Sequence, residues 1–262
     1  MIKIEHPVFP SSEQMDFVIE GMRNPMNSWD KSDSVGDCTH IDELTCNICR
    51  SNMDYKPNCV TNKFALGEND ESLMMRLAKA GTDHRKYLRM MQVGVRITAP
   101  LYFYKELDTY KVGTVCNSCS TMHKIQAKEF TLDDFNCEHL VEDNDIHEDI
   151  SVPDGEEYIY YAPKDILQEW IIPSLNKCRN VFLDTKNKVW WWQMIQLLPS
   201  SYNQTRNYTF TYENLINMYF ARRNHKLDEW RIFCQWMLDN VPYFKELVEH
   251  IEGQNKVSAK AV

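Results

Sequence analysis

The stretch "LRMMQVGVRITAPLYFYKEL", residues 88 to 107, constrains the fold more than any other. Met91, Val93, Val95 and Ile97 alternate with other residues at period two, the spacing of a strand that buries one face. Pro100 then favours the first turn of a helix, because its fixed φ suits a position whose N–H has no intrahelical partner. The reading is a strand that passes directly into a helix over 100–111. With 262 residues, 43% of them hydrophobic, the chain can bury one substantial core, so a single domain mixing helices and strands is expected.

The formal net charge is -9, which argues against a general binder of nucleic acid or of membrane surfaces, since either role needs a positive field. No stretch reaches the roughly 18 to 20 apolar residues of a spanning helix. The start "MIKIEHPVFP" lacks the apolar core of a signal peptide, so a cytoplasmic location is expected. Nine cysteines, an odd number, read as reduced thiols rather than a disulfide framework.

Further elements follow from local signals. In "SSEQMDFVIEGM", Ser11 and Gln14 form a capping box ahead of Met15, Val18, Ile19 and Met22, and the helix stops at Asn24-Pro25. A second helix starts at Asn69 or Asp70 and ends at Gly81, where glycine suits the left-handed position. From Pro163 onward the pattern is mainly helical, with Pro173 breaking or kinking the first helix. Tyr208, Phe210 and Tyr212 alternate in a further strand. The tryptophan run Trp190 to Trp192 reads as a helix buried against the core or a subunit interface. The acidic segment 141–157 reads as a solvated loop, and the tail 254–262 as disordered.

Two groups of residues could carry metal or nucleophilic chemistry. The insert 36–62 holds Cys38, His40, Cys46, Cys49 and Cys59, with a single C-x-x-C pair. A tetrahedral zinc site wants a second paired half, so reduced cysteines are the simpler reading and no metal is expected. Cys116 and Cys119 lie among Asn117, Ser118, Ser120, Thr121 and His123. Cys119 could act as a nucleophile with an oriented base, line a polar pocket, or simply pack. No Walker loop and no G-x-G-x-x-G is present, and with eight glycines a glycine-rich phosphate nest is not expected. Any phosphate must then be met by Arg, Lys, hydroxyls or helix N-termini.

Two blocks give a resemblance. "LAKAGTDHRKYLRMMQVGVRITAPLYFYKELDTYKVGTVCNSCSTMHKI" and "LLPSSYNQTRNYTFTYENLINMYFARRNHKLDEW" resemble the flavin-dependent thymidylate synthases, the ThyX family, in the order and spacing of their elements. The first matches that family's helix, strand, Ala-Pro turn and helix, leading into its Arg-His-Arg-x-x-Ser segment. The second matches its Leu-Pro turn, strand, and helix bearing an Asn and, five residues on, an Arg. Where the family has Arg-His-Arg-x-x-Ser, this chain reads Thr109-Tyr110-Lys111-Val112-Gly113-Thr114. Cys119 replaces a serine, Thr121 and Ile195 replace phosphate-contacting arginines, and Glu106 replaces a glutamine that reads the nucleotide.

The resemblance implies an α+β, ThyX-like fold over 1–253, with a small mixed sheet, surrounding helices and a mainly helical C-terminal half. It implies FAD as cofactor and reductive methylation of dUMP, with NADPH and methylenetetrahydrofolate as co-substrates, in a homotetramer. Tyr110, Lys111, Thr114, Asn117 and Asn217 stand at flavin-contacting positions, and His84 lies about two residues from where the family has a flavin-contacting His. Glu106, Cys119, Ser120, Thr121 and Arg222 stand at nucleotide-contacting ones, with Arg222 as the catalytic residue that polarises the pyrimidine. Arg206, Arg223 or Lys124 could supply the missing phosphate cations. The alternatives are a related flavoenzyme acting on another pyrimidine nucleotide, for example by hydroxymethylation, or a flavin-free binding descendant.

Overall fold

The computed structural model describes residues 1–36, 64–142 and 162–258. Cys38, His40, Cys46, Cys49, Cys59 and most of the acidic loop lie outside the described residues, as do the last four positions. Four strands, β1 (Lys3–Val8), β2 (Gln92–Pro100), β3 (Val115–Ser118) and β4 (Asn203–Thr211), form a small antiparallel sheet in the order β1-β2-β4-β3. The helices are α1 (Ser12–Arg23), α2 (Glu68–Lys79), α3 (Leu101–Leu107) and the short α4 (Thr121–Lys124). They continue as α5 (Ile172–Thr185), α6 (Lys188–Leu197), α7 (Tyr212–Arg222), α8 (Asp228–Asn240) and α9 (Phe244–Ser258). The last helix runs to Ser258, into the segment expected to be disordered.

β2 buries Val93, Val95, Ile97 and Ala99 on one face, as the alternation requires. Pro100 is the N-cap of α3, which ends at Leu107 rather than continuing to Lys111; past Asp108 the Thr109 N–H and hydroxyl both donate to the Glu106 carbonyl, at 3.1 and 2.7 Å. Neither β1 nor β3 was expected. Both are sheet edges with almost no buried side chain, so neither carries an alternating apolar signal, and an edge tolerates Pro7.

The chain divides into two compact units. One comprises Met1–Lys3, Ile97–Thr109 and Asn117–Arg206. Its core gathers Ile125, Phe130, Phe135, Leu167, Ile172, Leu175, Cys178 and Met194. A π-helical turn, Ile166–Ile171, precedes α5, as follows when Pro173 removes a backbone donor and its ring crowds the preceding turn. The tryptophan helix α6 is less buried than expected. Met194 alone is fully buried, Trp190 and Trp191 cover the core edge, and Trp192 is 43% exposed.

The other unit comprises Ile4–Arg96, Tyr110–Cys116 and Asn207–Val262. The Ser11–Gln14 capping box opens α1, which buries Met15, Val18, Ile19 and Met22. The helix α2 is capped differently from the expectation. Gly67 is its N-cap, and Asp33 accepts the N–H groups of Asn69 and Asp70 at 2.9 and 3.1 Å. That frees Asp70 to lie buried inside the first turn, paired with Arg23. An aromatic chain of Tyr208, Phe210, Phe233, Trp230 and Trp236 ties β4 to α8.

Candidate functional site

The expected site residues fall on both units. In the unit containing α7, the loop 110–114 is anchored by Asn214, whose amide donates to the Val112 carbonyl at 2.6 Å. Asn214 also completes a capping box with Thr211, so one residue starts the helix and holds the loop. Gly113 sits at φ +71, and a Cβ there would stand 3.1 Å from the Asn214 side-chain oxygen. The backbone therefore approaches α7 as only glycine allows without strain.

This anchoring presents three of the expected residues. Lys111 is exposed, and Thr114 carries a buried hydroxyl with no hydrogen-bond partner among the described residues. Tyr110 meets Arg222, whose Nε donates to the phenol oxygen at 3.1 Å, and the guanidinium also lies 5.1 Å from the centre of the Trp230 ring. Nearby on α8, burial pushes the Cys234 thiol up to about 12 despite the opposing charges of Arg222 and Arg223, so it stays a neutral thiol.

His84 is exposed in the turn before Arg85. Arg85 donates to Glu213 at 3.1 Å and to the Asn217 amide oxygen at 3.4 Å, while Arg89 also pairs with Glu213. Two guanidinium groups share the Glu213 carboxylate beside Asn217, and the Asp83 carboxylate also acts on Arg89. Sequence reasoning missed this cluster: the arginines precede β2, and their partner lies 128 and 124 positions away.

In the other unit, Asn117, Cys119 and Ser120 are exposed, while Glu106 and Thr121 are half-buried. Cys119 is fixed through its backbone. Its N–H donates to Thr205 at 2.9 Å, and its carbonyl accepts from the buried Gln204 amide at 2.8 Å. The other end of Gln204 accepts from Arg206 Nε at 2.8 Å. Ser120 caps α4 by accepting from the His123 N–H at 2.9 Å, so its oxygen has a structural duty already. Among the described residues no hydrogen bond sets a base against the exposed Cys119 thiol.

Of the cations that could replace the missing phosphate ligands, Arg206 donates to Asp108 at 2.8 Å and Arg223 pairs with Glu252 at 3.1 Å. Lys124 is exposed at the end of α4. Among the described residues, no group of three or more His, Cys, Asp or Glu is placed to hold a metal ion, and no helix is long and apolar enough to cross a membrane. An open groove of about 340 Å³ beside α2 and α9 is lined by Glu71, Met75, Glu246, Glu249 and His250 and includes none of the expected site residues.

This combination, an antiparallel four-stranded sheet with helices before and after it, defines an α+β fold of the ThyX type. Two crystal structures of thymidylate synthase X from Helicobacter pylori, both described with FAD and dUMP, share it. One superposes with a TM-score of 0.56 at 14% identity, covering 95% of this chain and 98% of that one. The other gives 0.55 at 14% identity, covering 96% and 98%. No family model matches the sequence, and no curated protein matches it. The fold resemblance read from two short blocks thus extends over nearly the whole chain.

Proposed function

We propose that the protein is a flavin-dependent enzyme of the thymidylate synthase type, acting on dUMP with FAD as cofactor. The observation that carries the reading is Arg222: the residue aligned with the family's pyrimidine-contacting arginine sits half-buried in an aromatic setting on a ThyX-like fold. The residues present fit the cofactor. Thr114 offers a buried hydroxyl unpartnered among the described residues, Lys111 an exposed cation, and Arg85 a guanidinium donor beside Asn217. These groups suit phosphate and ring heteroatoms, and the resemblance adds His84 and Asn117 as further expected cofactor contacts, while Tyr110 is engaged by Arg222.

FAD, when bound, relays reducing equivalents from NADPH to the one-carbon unit taken from methylenetetrahydrofolate. The chain's own contribution is electrostatic and positional. Arg222 stabilises negative charge on the uracil ring, because a guanidinium held against apolar rings acts in a poorly screened environment. The resemblance would give Glu106, Cys119, Ser120 and Thr121 to nucleotide contacts, with no covalent role asked of the Cys119 thiol.

The test is a visible spectrum of the purified protein before and after adding dUMP, with released cofactor identified. A flavin spectrum that shifts on dUMP addition supports the reading, and a protein that takes up no FAD overturns it. Arg222→Ala is expected to abolish turnover while retaining flavin. The engagement of Arg206 and Arg223 by carboxylates of the chain favours a second reading, a related enzyme for another pyrimidine nucleotide. A flavin spectrum blind to dUMP and responsive to another pyrimidine nucleotide would select it.

A further inference from the structure

We propose that Tyr110 is a positioning residue, holding the Arg222 guanidinium in one orientation before any ligand arrives. Arg222 ends α7, where a long side chain on the last helical turn has wide rotamer freedom. Its Nε donates to Tyr110 Oη at 3.1 Å, and its charged carbon lies 5.8 Å from the Tyr110 ring centre and 5.1 Å from that of Trp230. The two rings meet edge to face, 5.9 Å apart at 63°. Trp230 is fully buried, so one wall of this clasp is rigid.

Tyr110 is rigid for a different reason. Two residues on, Val112 is bonded to Asn214 in the first turn of α7, and Gly113 packs against the same turn. A single short loop therefore grips the helix at its start through Val112 and at its end through Tyr110. The phenol fixes the Nε edge of the guanidinium, and the ring pair fixes its plane. Arginine carries about 2 kcal/mol of rotamer entropy. Removing part of it in the free protein means that less is lost on binding, which raises affinity without adding a ligand contact.

The functional half of this inference rests on Arg222 being the pyrimidine-contacting arginine; the clasp itself does not. The experiment compares the full chain with Tyr110→Phe, which keeps the ring and deletes only the acceptor. Hydrogen exchange of the Arg222 Nε–H is followed by NMR, with the resonance assigned by its loss in Arg222→Lys. Binding of dUMP and thermal unfolding are measured on the same samples.

In Tyr110→Phe the exchange is expected to accelerate about tenfold, the equivalent of one ordinary net hydrogen bond, and dUMP binding to weaken by about three- to tenfold. The unfolding temperature is expected to move by no more than about 2 °C, because the half-buried ring stays in place. Unchanged exchange overturns the clasp. Faster exchange with unaltered dUMP affinity overturns the positioning role. A wild-type protein that binds no dUMP overturns the proposed function instead, and the clasp then stands or falls on the exchange rate.

Discussion

Arg206 lies over the Tyr104 ring, 3.9 Å from its centre, while its Nη1 donates to both oxygens of Asp108 at 2.8 and 3.1 Å. The Tyr104 hydroxyl reaches the carbonyls of Ile97 and Gln204 at 2.7 and 2.9 Å, so the ring beneath the cation is itself pinned. This arginine braces α3 against β4.

Arg206→Lys is therefore expected to destabilise the protein by about 1–2 kcal/mol, since a single ammonium cannot reach Asp108 and Gln204 at once while lying over the Tyr104 ring. Asp108→Asn should cost less, about 0.5–1 kcal/mol, because Asp108 is half exposed to solvent screening. Denaturant unfolding of both variants and of the double variant measures the coupling. Additive losses would show that the Arg206–Asp108 pair contributes nothing as a unit.

Asp70 is fully buried and accepts hydrogen bonds from Arg23, Ser32, Ser34 and the Asp33 N–H. Burial alone would raise its pKa, but hydrogen bonds from Ser34, Ser32, Arg23 and the Asp33 backbone outweigh that and hold it below the usual carboxylate range. A carboxyl depressed in the folded state stabilises the fold above its unfolded value of 3.8 and loses that contribution as pH falls through the folded value. Wild type should therefore lose stability steeply in acid below about pH 4. Asp70→Asn is expected to lose about 3–5 kcal/mol at pH 7, leaving Arg23 as an uncompensated buried charge, and to show a flatter acid limb. Equal acid limbs would remove Asp70 from this role.

The features legible in the sequence are those whose causes lie within a few residues. The period-two run into Pro100 gave β2 and α3, Ser11 with Gln14 gave the start of α1, and Pro173 placed the irregular turn before α5. The features that escaped have partners far along the chain. Asp33 caps α2 from more than thirty residues upstream, and Tyr110 meets Arg222 across 112 positions. Asp108 was read as one residue of a longer helix, while it ends the helix and holds Arg206. Such pairings leave no local periodicity, and the edge strands β1 and β3 leave none either because they bury almost nothing. The candidate residues themselves came from aligned positions in the resemblance, and what their neighbours do to them came only with the structure.

Gly113 tests whether the 110–114 loop is held by shape. A side chain at φ +71 is strained, and its Cβ would press on Asn214 and Thr211. Gly113→Ala is expected to cost about 1–2 kcal/mol and to loosen the loop that carries Lys111 and Thr114. Thermal unfolding reports the first effect, and the fraction of flavin retained on purification reports the second. A variant with wild-type stability and flavin content would show that the loop adapts, and would leave the placement of Lys111 and Thr114 unsupported.

The exposed side of α6 bears on assembly. Val189, Trp192 and Leu197 are 57%, 43% and 42% exposed, and Lys188 lies 5.8 Å from the ring centres of Trp191 and Trp192. Leaving several large apolar groups of one helix in water costs about 25 cal/mol for each Å² that a partner could cover. With the homotetramer implied by the resemblance, this face is where copies are expected to meet. Light scattering on the full chain should then give four times the 31.0 kDa chain mass. Trp192→Glu should lower the measured mass by placing a charge on the covered face, with little effect on the fold, since Met194 rather than Trp192 holds α6 to the core. A wild-type monomer would contradict the assembly, and a tetramer indifferent to Trp192→Glu would move the interface elsewhere.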